Sequence, residues 1–423
     1  MALDVNEGSR NPQQPWGEAS PWERAVVATA LMPPVWVWRA PASDEILMGF
    51  GFARPFATLR ECRAALREQH ASSDSSGIEP RCLCVVAFDP AQEMEQLWKG
   101  FPQSQFFLPR VLVRWNSSGM AAWRCTSGNL PDTDLLKSML SLTRTPREAG
   151  IARRTDLFAR ADWDAAVRSA RDTIRAGEMS KVVLARAVEL EANSVFDIAS
   201  VLGRLAEVTD SCLFACGTRE GMFLGASPER LFRLDGDILS ADSLAGTRPR
   251  GRSEREDAAL AAELLESSKE QGEQRQVTGF LAERLGVLCD GAHVEPLHIA
   301  KFKTVQHLRS KVYGRLRAGV GPDDVLTALH PTPAVCGNPR LNALGWIREH
   351  EPVPRGLYAG AIGWISADAA EFAVAIRSAL VTGSRAHLFA GAGIVADSDP
   401  EREWEETEWK MKVMMRALVG DNE

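Results

Sequence analysis

A helical stretch near the middle of the chain, ELLESSKEQGEQRQVTGFLAERLG, carries two glutamates on the side that its apolar residues mark as buried. Stepping back by helical spacing from Val277 reaches Glu273 and then Glu270. Carboxylates on a buried face are costly unless a cation accompanies them. The spacing therefore indicates either a solvated charged face or one half of a site for a hard divalent cation such as Mg²⁺.

The last stretch of the chain, PEREWEETEWKMKV, repeats this pattern. Val413 marks the apolar side, and stepping back gives Lys410, Glu406 and Glu403. Mg²⁺ is commonly held by one or two carboxylates together with waters and an anionic substrate. Either helix alone is more typical of a solvated face, but the two glutamate pairs together favour a Mg²⁺ site.

A segment of small residues directly precedes the second acidic stretch. Gly391, Ala392 and Gly393 are predicted to form a turn that leaves a strand and exposes backbone N–H groups, which suits an anion. Arg377, among alternating apolar residues in EFAVAIRSAL, needs a partner, and a carboxylate held by two hydrogen bonds is the natural one. A plain tight turn is the alternative for the small residues.

Two further residues have side chains suited to proton transfer. Lys181 begins the apolar strand KVVLARAVEL, and Glu229 follows a Ser-Pro turn in GASPERL. A lysine in a pocket can act as a base, and a carboxyl group removed from water can act as an acid. A solvated strand end and an ordinary surface glutamate are the alternatives.

Helices and hairpins alternate around these residues. This pattern predicts an α+β fold, with large mixed or antiparallel sheets packed with helices. The predicted helices cover 161–177, about 197–208, 254–286 and the residues from 400 onward. The predicted strands cover 181–190, 211–217, 221–225, 310–317 and 357–366, with strand-turn-strand units at 230–242 and 371–393.

The chain divides by composition into three parts. Residues 1–20 are predicted to be a flexible leader, and residues 21–150 a divergent N-terminal part of the same fold. A stretch of Pro, Gly and charge without periodicity at 144–156 marks the seam before a catalytic region at 157–415.

Composition excludes several classes of protein. The net charge is −7 without a basic block, which argues against a nucleic-acid partner. The eight cysteines show neither zinc-site nor redox spacing. The apolar stretch at 25–38 is too short for a membrane span and is broken by Pro33 and Pro34. We therefore expect a cytoplasmic protein with neither a nucleic-acid nor a membrane partner.

Seven motifs occur here in the order in which the chorismate-utilising enzymes carry them, so the chain resembles that family. They are KVVLARAVEL, FLGASPERLFRLDGDILSADSLAGTRPRG, SSKEQGEQRQV, LHPTPAVCGNPR, GLYAGAIGW, AIRSAL and GAGIVADSDPEREWEETEWK. The resemblance covers roughly residues 157–415, and it implies the family's fold, chorismate as the substrate and Mg²⁺ as the cofactor.

The resemblance also implies a role for individual residues. Glu273 and Glu406 match the direct Mg²⁺ ligands, and Glu270 and Glu403 match glutamates that act further from the ion. Lys181 matches the base that activates water for attack at C2, and Glu229 matches the acid that protonates the departing C4 hydroxyl. The residues that match substrate-binding positions are Gly246, Thr247, His330, Ala334, Tyr358, Arg377, Gly391, Ala392, Gly393 and Lys410.

Within the family, HPTPAVCG at 330–337 and Lys181 most resemble the isochorismate synthases. A salicylate synthase, which also eliminates pyruvate, and an ammonia-dependent subunit such as anthranilate synthase component I are the alternatives. No obligatory amidotransferase partner is expected. One departure is Gln274, which stands where the family usually has histidine. Menaquinone, catechol siderophore and salicylate routes all begin with isochorismate, so the sequence leaves all three open.

Overall fold

The structure is a computed structural model that describes residues 33–70, 79–94, 96–117, 119–125, 149–301 and 305–420. The predicted leader and the first five residues of the predicted seam, 144–148, lie outside these residues. Within them the chain forms eight helices and nineteen strands. No helix among the described residues is long and apolar enough to cross a membrane.

Helices and strands alternate along the chain as the periodicity predicts. The helices are α1 (Leu59–His70), α2 (Arg160–Arg175), α3 (Ile198–Ala206), α4 (Glu254–Glu266), α5 (Ser268–Leu288), α6 (Pro322–Leu329), α7 (Arg340–His350) and α8 (Pro400–Val419). The strands are β1 (Val35–Arg39), β2 (Ile46–Phe56), β3 (Cys82–Val86), β4 (Ser104–Asn116), β5 (Gly119–Arg124), β6 (Ile151–Asp156), β7 (Lys181–Ala192), β8 (Cys212–Gly217), β9 (Met222–Ser227), β10 (Arg230–Asp235), β11 (Ile238–Pro249), β12 (His293–Val294), β13 (His298–Lys301), β14 (Val305–Arg315), β15 (Gly337–Asn338), β16 (Ala361–Ile365), β17 (Ala369–Val374), β18 (Ser378–Thr382) and β19 (Arg385–Ile394).

The strands join into one antiparallel sheet, which confirms the predicted fold class. From one end the order is β14–β11–β10–β17–β16–β3–β4–β2–β1–β8–β9–β18–β19–β7. The other edge of β7 pairs with β15 at its beginning and with β6 at its end. The predicted seam at 144–156 thus contains a strand of this sheet.

Two apolar clusters hold the sheet and helices together. The larger one takes Trp163 from α2, Leu285 from α5 and Trp346 from α7 against the sheet. The smaller one takes Leu202 from α3 and Met414 from α8. A large apolar side chain stabilises the fold by about 1.5–3 kcal/mol when it is fully buried. The helices that carry the predicted site are therefore fixed to the sheet by their apolar faces.

The predicted helix over 254–286 is two helices, because the chain leaves helical geometry at Ser267, with φ −67° and ψ 108°. The Ser267 hydroxyl accepts a hydrogen bond from the Glu270 N–H at 3.4 Å and so caps α5. The break places Glu270 in the first turn of α5, where the helix dipole favours a carboxylate.

The prediction of a turn at 391–393 is wrong. Gly391, Ala392 and Gly393 belong to strand β19 and pair with β7 over their whole length. Neither glycine has a positive φ. The segment is rich in glycine because neighbouring atoms approach the strand closely, as described below.

Candidate active site

Lys181 lies at the beginning of β7, directly against the small residues of β19. A Cβ atom on Gly393 would lie 2.7 Å from Cε and 3.2 Å from Nζ of Lys181. A Cβ atom on Gly391 would lie 3.3 Å from the hydroxyl oxygen of Tyr358. Ala392, between the two glycines, is fully buried. The two glycines therefore let the lysine and the tyrosine lie on the backbone of β19.

Gly393→Ala should lower kcat by about 10- to 100-fold, because the added methyl group must displace the Lys181 side chain, and small misplacements of reacting groups cost that much. The matched control is Gly286→Ala on α5, where no atom lies within 4 Å of the new Cβ. The control should keep its activity and gain about 0.5–1 kcal/mol of stability. Steady-state kinetics and thermal unfolding of both variants check the prediction, and a wild-type kcat in Gly393→Ala would contradict it.

Glu229 lies in the tight connection between β9 and β10. Its N–H donates to the Ser227 hydroxyl at 3.2 Å, and its carbonyl accepts from the N–H of Val374 at 3.0 Å. The side-chain Oε1 accepts from the Thr332 hydroxyl at 3.3 Å. These bonds fix the backbone and one carboxyl oxygen.

The surroundings of Glu229 shift its pKa upward from the ordinary value of a glutamate. Burial raises the pKa of Glu229, and this outweighs the hydrogen bond from Thr332 and the charges of Lys181, Lys410 and Arg377, which lower it. The three cations are therefore close enough to act on this carboxyl. The sequence predicted this acid without showing what buries it.

Arg377 lies in the short link between β17 and β18, rather than inside a strand as its apolar neighbours predicted. Its φ of 52° is in the left-handed region, which is strained for a residue with a side chain and is typical of functional sites. The conformation is held by the Ala226 N–H, which donates to the Arg377 carbonyl at 3.1 Å. A Cβ on Gly225 would lie 2.6 Å from the same carbonyl, so Gly225 leaves room for it.

The guanidinium of Arg377 lies over the indole ring of Trp409, 5.4 Å from the ring centroid. Burial lowers the pKa of Arg377, whereas Tyr358, Glu406 and Glu229 raise it. Among the described residues its guanidinium donates no hydrogen bond to a protein carboxylate, so the group is held by its surroundings without being neutralised in an ion pair. Trp409 was not predicted as a site residue, although it lies one position before Lys410.

The side chain of Lys410 links helix α8 to strand β19. Its ammonium donates to the Gly391 carbonyl at 2.8 Å and pairs with Glu406 at 2.5 Å. Burial lowers the pKa of Lys410, and the charges of Arg377 and Lys181 lower it further. The carboxylate of Glu406 acts in the opposite direction and raises it. Tyr358 is buried against Phe389, and burial raises the pKa of its hydroxyl to about 12, so the phenol stays neutral.

Strand β11 has a bulge at Gly246, which the sequence predicted to bind substrate. Gly246 has φ 62°, and the pairing of β11 with β14 shifts between Ala245 and Thr247. A Cβ on Gly246 would lie 2.8 Å from Oε2 of Glu270, so this carboxylate lies against the bulge. The Gly246 carbonyl accepts from Nδ1 of His307 at 2.9 Å. The backbone of Thr247 pairs with His307 of β14.

His307 on β14 lies beside the β11 bulge. Burial lowers the pKa of His307, and the positive charge of Arg377 lowers it further. Arg377 in turn interacts with Glu406 of α8, while His307 is bonded to the glycine that Glu270 of α5 touches. His307 is therefore bonded to the bulge beside Glu270 and lies within electrostatic range of Arg377. His307 could not have been predicted, because it reaches the site through the register of β14.

The donor chemistry of these glutamates fits a hard divalent cation, because carboxylate oxygens are the ligands that Mg²⁺ prefers. Glu270 is 18% exposed and Glu406 45% exposed, so both are accessible to an ion. Glu403 is half-buried one turn before Glu406. Among the described side chains no three potential ligands cluster, and the side chain of Glu273 lies outside that set.

Gln274 follows Glu273 on α5 and is 2% exposed. Its amide nitrogen donates to the Ser243 carbonyl at 3.0 Å, while its amide oxygen is buried and has no hydrogen-bond partner among the described residues. Where the family usually has histidine, this chain thus has an amide that fixes α5 to β11.

The segment after α6 contains two predicted site residues, His330 and Ala334, but it contacts Glu229 through Thr332, which the sequence analysis did not single out. His330 is buried and donates from Nε2 to the Ala87 carbonyl at 3.3 Å. Burial lowers the pKa of His330 to about 4, so the ring is neutral at neutral pH. Two residues later Thr332 contacts Glu229, and Ala334 follows it half-buried. The hydroxyl between the two prolines of HPTPAV was the signal that could have identified Thr332.

The assembled group has a defined chemical character. The charges of Lys181, Lys410 and Arg377 act on one carboxyl, Glu229, whose pKa is raised by burial. An anion with two negative charges suits such a surplus of positive charge. A base candidate and an acid candidate thus share one site, the arrangement that general acid–base catalysis needs.

Curated relatives include the isochorismate synthase MenF of Bacillus subtilis, 34% identical over 91% of this chain and 88% of its own length. The salicylate biosynthesis isochorismate synthase of Pseudomonas aeruginosa is 35% identical over 81% of this chain and 75% of its own. The solved structure of MenF, the menaquinone-specific isochorismate synthase from Escherichia coli, superposes with a TM-score of 0.81 at 28% identity, covering 95% of this chain and 92% of that one.

In sequence, relatives named anthranilate synthase component 1 match a smaller part of the chain. Component 1 from Methanothermobacter thermautotrophicus is 37% identical, but over 63% of this chain and 58% of its own length. The chorismate binding enzyme family matches residues 36–419. That range includes every part of the site described above, from Lys181 on β7 to Lys410 on α8. The chain therefore belongs to the chorismate binding enzyme family.

Proposed function

We propose that this chain is an isochorismate synthase, an isomerase that converts chorismate to isochorismate. The observation that carries the proposal is Glu229, a carboxyl whose pKa is raised by burial and which lies within electrostatic range of Lys181. Relatives named isochorismate synthase match nearly the whole chain, which supports the same function.

Two groups of residues would bind the two carboxylates of chorismate. Arg377, whose guanidinium lies within electrostatic range of Tyr358, Glu406 and Glu229, suits one carboxylate through two parallel hydrogen bonds. Lys410 and the neutral hydroxyl of Tyr358 converge on Gly391 and add a cation and a donor beside it. Gly246 and Thr247 on the β11 bulge would close the site near the ring.

Lys181 and Glu229 would carry out the proton transfers. Lys181, as the base, takes a proton from water as the water oxygen bonds to C2 of the ring. The ring π electrons shift, the C4–O bond breaks, and Glu229 gives its proton to the departing oxygen, which leaves as water. One water enters and one leaves, so the reaction is an isomerisation. Hydroxide is a poor leaving group unless it is protonated, which explains the need for an acid with a raised pKa.

Glu273 and Glu406 would hold Mg²⁺ directly, with Glu270 and Glu403 supporting them. When bound, the ion would balance the charge of the ring carboxylate and help to fix the ring between base and acid. Glu270 is positioned for this by the Ser267 cap and by Arg248, 3.4 Å away.

The product assay tests the function. Purified protein with chorismate and Mg²⁺, without ammonium, should accumulate isochorismate, separated from salicylate and anthranilate by chromatography. Accumulation of salicylate without a partner lyase would instead show a salicylate synthase. Turnover that requires added ammonium and gives an aminated product would show the anthranilate synthase class. Chorismate with Mg²⁺ but no protein is the control, and no product from the protein would overturn the proposal.

A further inference from the structure

The outer edge of β7 is completed partly by backbone bonds, such as the one from the Val183 N–H to the Cys336 carbonyl at 2.8 Å, and partly by side chains. β15 pairs with Lys181 and Val182, and β6 pairs with the end of β7 from Val188 onward. In the interval between them, the Ala185 N–H donates to Oε1 of Glu351 at 2.8 Å.

Arg355 adds further side-chain bonds to this edge and reaches a second segment. Its Nη2 donates to the Val183 carbonyl of β7 at 2.7 Å, and its Nη1 donates to the Val335 carbonyl at 2.6 Å. Val335 belongs to the segment in which Thr332 holds Glu229. One guanidinium therefore joins the strand of the proposed base to the segment that fixes the proposed acid.

The backbone of Arg355 adds a third connection. Its carbonyl accepts from the N–H of Tyr358 at 2.9 Å, so the residue also anchors the tyrosine whose hydroxyl lies on Gly391. The guanidinium plane lies over the ring of Phe88, 4.2 Å from the centroid.

The ion pair itself is almost fully buried, with the side chains of Arg355 and Glu351 3% and 5% exposed. Nε of Arg355 donates to Oε2 of Glu351 at 2.8 Å, and Nη2 donates to Oε1 at 2.5 Å. The desolvation cost of a buried pair usually cancels much of its attraction, so stability is a weak reason for its presence. The planar fork of the guanidinium, however, fixes several acceptors at set distances.

We propose that Arg355 and Glu351 are positioning residues that set the spacing between Lys181 and Glu229. The inference rests on the proposed function, because it assigns these two residues their roles. Neither residue is assigned a contact with the chorismate ring or with the reacting atoms. It holds Val183, two residues from the base, and Val335, three residues from the threonine that holds the acid.

Arg355→Lys tests the inference, because an ammonium keeps the charge but cannot hold both carbonyls and the carboxylate in one plane. We expect kcat to fall by about 10- to 100-fold, the cost of a misplacement near 1 Å, with the Kd for chorismate almost unchanged. Glu351→Gln is the second variant, since it keeps the shape and an acceptor for Ala185 while weakening the grip on Arg355. The control is Arg39→Lys, another buried arginine that holds two carbonyls, those of Ala206 and Val208, away from the site.

Amide hydrogen exchange provides a readout that does not depend on turnover. In Arg355→Lys, peptides covering 181–187 and 332–336 should exchange faster than in the wild type, while the rest of the sheet keeps its rates. The inference is overturned if exchange is unchanged in both segments, or if kcat falls no more than in Arg39→Lys. A wild type that makes no isochorismate would instead refute the proposed function, and the exchange result would still decide whether the pair holds the two segments together.

Discussion

Lys181→Ala is expected to lower kcat by about 10²–10⁴-fold, which is the usual contribution of a general base. The Kd for chorismate should change little, because the residues proposed to bind the carboxylates, Arg377 and Lys410, lie elsewhere in the fold. Separate measurements of kcat by product formation and of Kd by equilibrium titration check this. Lys311→Ala, a lysine on β14 that lies near Tyr313, is the control and should keep its activity.

Glu229→Gln is expected to have an effect of the same size, because glutamine keeps the shape of the acid and cannot give up a proton. It also gives a distinct pH dependence. Burial raises the pKa of Glu229, so the wild-type acid stays protonated to higher pH than an ordinary glutamate. The wild-type kcat/KM should fall as pH rises through that raised pKa, and this fall should be missing in Glu229→Gln.

A rise in KM with kcat intact, in both the lysine and the glutamate variant, would refute their proposed roles in proton transfer. Such a result would mean that both side chains only shape the pocket. The fold and the family would be unaffected by that outcome, because they rest on the sheet order and on the match over residues 36–419.

Glu273→Gln and Glu406→Gln are each expected to abolish measurable turnover, because each would remove one of the proposed carboxylate ligands of Mg²⁺ and a charge that balances the ion. Glu406 also pairs with Lys410 at 2.5 Å, so Glu273→Gln is the variant that tests the metal without disturbing that pair. Glu405→Gln, an exposed neighbour on α8, is the control.

Mg²⁺ binding should be measured by titration calorimetry alongside activity, with wild-type protein stripped by a chelator as the reference. The stripped protein should lose its activity and recover it when Mg²⁺ is returned. Wild-type affinity for Mg²⁺ in both glutamate variants would remove these residues from the metal site. Glu270 and Glu403 variants should be milder if those carboxylates act through water.

The helices and strands around the site could be predicted from hydrophobic periodicity, because an amphipathic helix such as α2 and an apolar strand such as β7 each leave a local signal. The break at Ser267 could not, since the apolar spacing continues from α4 into α5. Gly391 and Gly393 were recognised as important for a mistaken reason. Their role depends on Lys181 and Tyr358, which approach from other elements and leave no trace in the local sequence.

The chemistry of the site was only partly predictable for a related reason. The residue types of Lys181 and Glu229 suggest base and acid, but the raised pKa of Glu229 comes from burial by distant parts of the chain. The positive φ of Arg377 is likewise set by contacts with Gly225 and Ala226. Such contacts depend on the register between strands that are far apart in sequence.

The place of the N-terminal strands in the sheet has a consequence for how the protein is made. β3 pairs with β16, whose last residue follows the end of β3 by about 280 positions. At a synthesis rate of about 5–20 residues per second, β3 is made roughly 15–55 s before β16. During that interval an apolar strand edge is open to other nascent chains. Recovery of active enzyme should therefore depend on growth temperature and on chaperones that shield the first strands until translation reaches β16.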